Sequence, residues 1–416
     1  MQNFKLVSQA AIRLGRILLA LICLLAAITT ACSHKERPVA AKLWSPKAAA
    51  AYLDERETEW SQWPGAARDH GTFCISCHTA LPYALARPVL AKALSEPGSS
   101  VQERTLVDDV LKRVRLWDGI GPYYSDKDVG LYKTSESRGT EAVLNAFILA
   151  NHDAQSGRLS PDTRTAFDHM WELQEATGKL QGSWPWLQFG HQEPWEADDS
   201  QYYGACLAAI ASGTAPEDYR NLPSVQDRIK LLREYLNREY AQQSTMNHIA
   251  LLWASTKLPG LINSQQQKTI VDEVLKKQQT DGGWQLAPLT WKWRGWTLAS
   301  FGRIWLRSDG TLAPRNSDGF ATAIIAFVLP QAGVPVDNRQ LQRAVSWLAR
   351  NQTDRGSWPS TSPNKRRSPS SNVGYFMSDA ATAYAVLALT DASSRITVPL
   401  YSATFETHPQ KSLRGK

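Results

Sequence analysis

The sequence predicts an all-α protein folded as an (α/α)6 toroid, in which six inner helices form a ring inside six outer helices. Two observations carry this prediction. Two kinds of segment with helical periodicity alternate strictly from residue 44 to residue 392. One kind is amphipathic, and the other is apolar on nearly every side. The long connections follow amphipathic segments, so they all lie at one end of the predicted ring, here called the rim. An open solenoid is the competing architecture, and it would need polar caps at both ends.

The amphipathic segments are predicted to be the outer helices, because a helix with one charged face packs between the core and water. Alanine, leucine and charged residues recur in them at helical spacing. The six segments are PKAAAAYLDERETEW from 46, VQERTLVDDVLKRVRLW from 101, PDTRTAFDHMWELQE from 161, VQDRIKLLREYLNREY from 225, QQQKTIVDEVLKKQQ from 265 and NRQLQRAVSWLARNQ from 338.

The segments that are apolar on all sides are predicted to be the inner helices, since such a helix is buried between two layers. They are LPYALARPVLAKAL from 81, GTEAVLNAFILAN from 139, SQYYGACLAAIAS from 200, MNHIALLWAST from 246, GFATAIIAFVL from 319 and AATAYAVLAL from 380. No strand is expected before the aromatic insert GGWQLAPLTWKWRGWTLASFGRIWLRSDG, in which a short hairpin across the rim is predicted.

Three outer segments end in a shared pattern of glutamine, glycine and tryptophan: KLQGSW up to Trp184, QQTDGGW up to Trp284 and NQTDRGSW up to Trp358. This pattern resembles the glutamine–tryptophan repeat of the squalene-hopene cyclase and protein prenyltransferase superfamily. The resemblance implies that each tryptophan packs at an outer-to-inner corner. It concerns structure more than chemistry, and the chain has room for one toroid where the cyclases have two.

The first thirty residues predict export. Positive charges precede the apolar run ILLALICLLAAI, which is too short to span a bilayer comfortably. The run ends in ITTAC, which resembles a bacterial lipoprotein signal and implies lipid attachment at Cys32. The predicted divisions are a signal over 1–31, a linker over 32–43, the toroid over 44–392 and a tail over 393–416. The implied location is the periplasmic face of the outer membrane, or the soluble periplasm if lipid is not attached.

Composition excludes nucleic acid as the expected partner. The net charge of +7 comes in part from both ends of the chain, and no basic run alternates with aromatic residues in a groove-like pattern. The chain is 43% hydrophobic, enough for a core, and its 16 tryptophans against 4 methionines are typical of a repeat or of a surface lined by aromatic rings.

The stretch FCISCH places Cys74 and Cys77 three residues apart, with His78 directly after the second cysteine. Covalent haem c needs this spacing, because two thiols form thioethers with the porphyrin and the adjacent imidazole binds iron. The predicted export also favours covalent haem, because bacteria complete haem attachment outside the cytoplasm. A zinc site would want further ligands, a redox dithiol would want a βαβ context, and a disulfide between the two cysteines remains an alternative. For the sixth iron ligand the sequence offers His70, His152, His248 and Met246, or an open position.

A second candidate site lies in PWEADDSQYYGA, where Glu196, Asp198 and Asp199 precede an inner helix. The stretch resembles the Asp-x-Asp-Asp motif of class II terpene cyclases, with Asp198 at the position of the proton donor and Glu196 in place of the first aspartate. The alternative is that these acids cap the helix, as NSDGFATA and MSDAATAYA suggest for later inner helices.

Three functions therefore stay open from the sequence. The first is a haem c protein that exchanges electrons with a periplasmic redox partner. The second is a cyclase-like enzyme acting on a polyprenyl or triterpenoid substrate, with Asp198 as the acid. The third is a haem-free scaffold that binds a ligand such as an isoprenoid. All three place function at the rim, where FCISCH and the long loops meet.

Overall fold

The computed structural model of the protein describes residues 44–154, 156–190, 193–290 and 306–395. The predicted signal, Cys32 and the linker lie outside the described residues. So do residues 291–305 of the aromatic insert and residues 396–416 of the predicted tail. The described residues belong to one compact unit that begins at Trp44.

Six outer helices alternate with six inner helices through the described part of the chain. Most outer helices begin at a serine or asparagine whose side chain accepts a backbone N–H of the first turn. The outer helices are α1 (Pro46–Gln62), α3 (Val101–Arg115), α5 (Pro161–Glu172), α7 (Pro223–Glu239), α9 (Ser264–Lys276) and α11 (Arg339–Asn351).

The inner helices carry the apolar core, because nearly every side chain of their central turns is buried. They are α2 (Ala80–Ala93), α4 (Lys133–Asp153), α6 (Ser200–Thr214), α8 (Thr245–Lys257), α10 (Gly319–Gln331) and α12 (Asn372–Arg395). None of the helices in the described ranges combines the length and apolar character needed to cross a membrane.

The inner helices form a closed ring. Each packs against its neighbours in chain order, and the last, α12, returns to pack against α2. This closure confirms the (α/α)6 toroid and is incompatible with an open solenoid. Two hydrogen bonds join the ends of the outer layer: Ser45 N–H donates to Gln352 Oε1 at 2.6 Å, and Gln352 Nε2 donates to the Ser45 carbonyl at 3.1 Å.

The glutamine–tryptophan corners link successive outer helices. Gln278 Nε2 donates to the carbonyl of Gly282 in its own corner and to that of Gln340 in α11, at 2.9 and 2.7 Å. The indole of Trp284 is fully buried and donates to the Val274 carbonyl at 2.7 Å. Gly282 has φ of 100°, and a Cβ there would lie 2.8 Å from the carbonyl oxygen of Arg343, so glycine is required.

The corner at Trp184 differs in one detail from its sequence pattern. The bridging amide belongs to Gln174, which donates to the carbonyls of Gly182 and Arg228. Gln181, the glutamine in KLQGSW, donates instead to Ala176 within the loop. The corner therefore needs a glutamine at the end of the outer helix, and a longer spacer separates that glutamine from the tryptophan here.

Two elements near the rim differ from expectation. A two-stranded antiparallel hairpin, β1 (Ala67–Arg68) and β2 (Thr72–Phe73), ends at the first residue of FCISCH, where no strand was expected. Such strands are too short for a periodic pattern. Helix α12 begins at Asn372, two turns before the expected start at 380. Asp379 therefore lies inside α12 and does not cap it, whereas Asp318 caps α10 as expected by accepting from Ala321 N–H at 3.1 Å.

Gln352→Ala should lower the free energy of unfolding by about 2 kcal/mol, because it removes hydrogen bonds that close the outer layer and leaves buried carbonyls unpaired. Gln342→Ala is the matched control, since Gln342 is exposed on α11, the helix that ends just before Gln352, and its change should stay within about 0.5 kcal/mol. Urea unfolding followed by circular dichroism measures both. Equal losses in the two variants would contradict this account of closure.

Candidate functional site

A cavity of about 270 Å³ lies at the rim, and we call it the rim cavity. Four outer-to-inner connections line it: those that follow α1, α3, α5 and α11. Its volume is near the lower end of the range for ligand pockets. Seven aromatic side chains form much of its wall: Trp60, Trp63, Tyr123, Tyr124, Phe189, Trp195 and Phe376.

The segment that carries FCISCH is held in a fixed conformation. Cys74 N–H donates to the Ala66 carbonyl at 2.8 Å, and the Cys74 carbonyl accepts from Trp60 Nε1 at 2.8 Å. Ser76 Oγ accepts the N–H groups of Thr79 and Ala80, at 3.2 and 3.0 Å, which starts helix α2. Cys74, Cys77 and His78 all line the rim cavity as a result.

The His78 imidazole is buried and packed between rings. It stacks on Phe376 at 3.6 Å between centroids and meets the Trp60 indole edge-on at 5.0 Å. Burial lowers the pKa of His78 to about 3, with a smaller contribution from the positive charge of Arg56. The imidazole is therefore neutral at neutral pH, the form in which histidine binds a metal.

A buried hydrogen-bond chain fixes the tautomer of His78. The Thr79 hydroxyl donates its hydrogen to Asp379 Oδ2 at 2.9 Å. Thr79 Oγ1 must therefore be the acceptor in its hydrogen bond with His78 Nδ1–H, also at 2.9 Å. Asp379 Oδ1 in turn accepts from Tyr52 and Arg56, each at 2.9 Å. With the hydrogen on Nδ1, the lone pair of Nε2 is left available to bind a metal.

The two cysteines are free thiols, not joined by a disulfide. Burial raises the pKa of Cys74 and of Cys77, so both are protonated at neutral pH. A redox dithiol depends on a stabilised thiolate, and this environment disfavours it. Within the described residues, no group of three or more His, Cys, Asp or Glu side chains is placed to hold a metal ion.

The residues expected as possible sixth ligands do not line the rim cavity. His70 is exposed beside the Gly119 carbonyl, His152 is exposed at the end of α4, and His248 Nε2 is 3.1 Å from the Tyr240 carbonyl. Met246 is buried in α8. A different methionine, Met377, lines the cavity from the first turns of α12.

Of the three predicted acids, only Glu196 lines the rim cavity. Burial raises the pKa of Glu196 to about 7, and the nearby charge of Glu193 contributes. Asp198 is exposed and lies outside the lining, so it lacks the dry aromatic surroundings that the cyclase reading requires. Asp199 occupies the N-cap position of α6, but its side chain does not accept a capping hydrogen bond.

Three functional candidates were not expected from the sequence: Glu193, Arg367 and Met377, all in the cavity lining. Glu193 accepts from Ser362 through Oε1, while its buried Oε2 has no hydrogen-bond partner. The sequence could have marked Glu193 as a candidate, because it lies three residues before Glu196. Nothing in the local sequence marks Arg367 or Met377, since the fold brings them to the cavity from the far end of the chain.

The likeness of this chain to known proteins is weak. No protein-family model matches the chain, and no curated protein does either. Among solved structures, a glycosidase variant aligns with 84% of this chain and 98% of its own at 11% identity and a TM-score of 0.45. The type II terpene cyclase MstE from Scytonema aligns with 84% and 97%, at 14% identity and a TM-score of 0.43. Likeness at this level assigns no activity to this chain.

Proposed function

We propose that this protein is an exported toroid that binds one haem c covalently, through Cys74 and Cys77, with His78 as an axial ligand of the iron. One observation carries the proposal. Both thiols and a neutral imidazole line a single aromatic cavity, and the imidazole is held by Nδ1 so that Nε2 is available. A bound haem would supply reversible one-electron transfer, and a periplasmic redox partner is the expected exchange partner.

The residues present fit this cofactor in their chemistry. Cys74 and Cys77 would hold the porphyrin through thioethers, which protonated thiols and vinyl groups can form without an oxidant. Aromatic walls suit the porphyrin faces. Met377 brings a thioether to the same cavity and would be a further ligand for the iron.

The hydrogen bonds from His78 to Thr79 and from Thr79 to Asp379 are of the kind that orient metal-bound histidines. The positive charge of Arg56 compensates the negative charge of Asp379. The two form an ion pair in which each side chain is 2% exposed. In the proposed site these hydrogen bonds fix the ring orientation of His78 and increase its basicity toward iron.

Cys74→Ala or Cys77→Ala should each abolish most covalent haem in denaturing gels stained for haem, because each variant removes one thioether. His78→Ala should leave attachment partly intact while altering the visible spectrum. Cys206→Ala is the matched control, since Cys206 is a fully buried thiol of α6 outside the cavity, and it should stain like the wild type. The test uses a host with an active haem-attachment system, where a colourless wild-type protein would overturn the proposal.

A second function, acid catalysis on a polyprenyl or triterpenoid substrate, is favoured by a separate observation. Glu196 has a pKa near 7 in a cavity whose ring faces can stabilise a carbocation. In this candidate function Glu196 takes the role that the sequence pattern assigned to Asp198.

If this second function holds, Glu196→Gln should abolish turnover of a polyprenyl substrate, because the amide keeps the shape but cannot donate the proton. Asp198→Asn is the control and should leave turnover unchanged. Wild-type turnover should also fall as pH rises through about 7, where Glu196 loses its proton. Product analysis at several pH values tests this, and loss of activity in Asp198→Asn alone would contradict it.

We further propose that the protein is anchored by lipid at Cys32 on the periplasmic side of the outer membrane. The support is the apolar run that ends in ITTAC. Mass spectrometry of the mature protein should find an acylated N-terminus at Cys32. An unmodified N-terminus at another residue would contradict the anchor and leave export intact.

A further inference from the structure

A second cavity, of about 380 Å³, adjoins the rim cavity, and Ser362 and Arg367 line both. Its wall contains three arginines, Arg307, Arg366 and Arg367, and we call it the arginine pocket. Hydroxyl groups make up much of the rest, including Ser357, Ser360, Thr361 and Ser378. Neither the haem proposal nor the acid proposal uses this pocket.

The three arginines differ in the hydrogen bonds that they make within the protein. Arg307 is fixed: its Nε donates to the Ser362 carbonyl at 2.8 Å and its Nη1 to the Leu312 carbonyl at 3.0 Å. Arg367 has a buried Nε with no hydrogen-bond partner. Arg366 is exposed. Its hydrogen bond within the described residues is made by the backbone N–H, which donates to Asp309 Oδ2. Two guanidinium groups are therefore available for a ligand.

The charges around the pocket are predominantly positive. Burial lowers the pKa of Arg307. The negative charges of Asp309 and Glu193 oppose this effect, and the like charge of Arg366 adds to it. Asp309 lies outside the pocket lining, and its carboxylate oxygens already accept from Thr311 and from the Arg366 backbone N–H. Glu193 accepts a hydrogen bond from the Ser362 hydroxyl, and Asp318 accepts one from the Ser360 hydroxyl. Clustering three guanidinium groups costs free energy unless an anion compensates them.

We propose that the arginine pocket binds a small ligand through a phosphate-type oxyanion, held by Arg366 and Arg367 while Arg307 keeps the wall in place. Guanidinium groups present paired N–H donors that match phosphate oxygens, and the hydroxyl groups of the wall supply further donors. The group is either free inorganic phosphate or the phosphate of an ester. The shared wall at Arg367 would bring that ligand beside the rim cavity. The proposal does not depend on haem.

Isothermal titration calorimetry of the full-length protein tests this, with inorganic phosphate and phenyl phosphate as separate probes at constant ionic strength, because salt screens exposed charges. The wild type should bind at least one probe saturably at one site per chain. The double variant Arg366→Gln and Arg367→Gln should bind it at least about tenfold more weakly, since two charge-assisted hydrogen-bond groups are lost.

Arg104→Gln is the matched control, because it removes the same charge from an exposed position on α3, outside the pocket lining. It should bind like the wild type. Preference for inorganic phosphate would identify a free anion, and preference for phenyl phosphate would identify an ester. Absence of saturable binding for both probes, an unchanged affinity in the double variant, or an equal loss in Arg104→Gln would overturn the proposal.

Discussion

The buried carboxylate of Asp379 connects the closure of the ring to the candidate site. It lies in the last inner helix and accepts hydrogen bonds from Tyr52 and Arg56 of the first outer helix and from Thr79 at the start of the first inner helix. Burial raises its pKa, while Arg56 and the hydrogen bonds oppose that rise. Losing one partner of such a buried pair typically costs about 3–5 kcal/mol, because the other charge is left uncompensated.

Through Asp379, the closure of the ring determines the tautomer of His78. The ring must close before Asp379 can reach Thr79, and Thr79 must be held before the His78 tautomer is fixed. The glutamine–tryptophan corners help to fix the outer layer in which these helices sit, with Gln352 performing the final closure. The rim then presents two adjoining cavities of different character, one aromatic with thiols and acids, the other rich in arginine.

Much of the fold could be predicted from the sequence, because burial on all sides and burial on one face leave different periodic patterns. The alternation of α1 to α12 and the corners at Trp284 and Trp358 follow from such local signals. The site was less accessible to sequence reasoning. FCISCH could be placed at the rim, but Asp379 and Met377 reach it only through ring closure, across about three hundred residues. Among neighbouring acids, loop conformation alone decides that Glu196 faces the cavity while Asp198 faces solvent.

The central claim is that the rim cavity holds a covalently attached haem, and acid–acetone extraction followed by a pyridine haemochrome spectrum tests it most directly. The protein should be purified from a host that attaches haem outside the cytoplasm. The account predicts that the chromophore stays with the polypeptide, at one iron per chain, and gives the spectrum of a haem whose two vinyl groups have been converted to thioethers. A protein without haem absorbance, or one whose haem passes into the acetone, would contradict it.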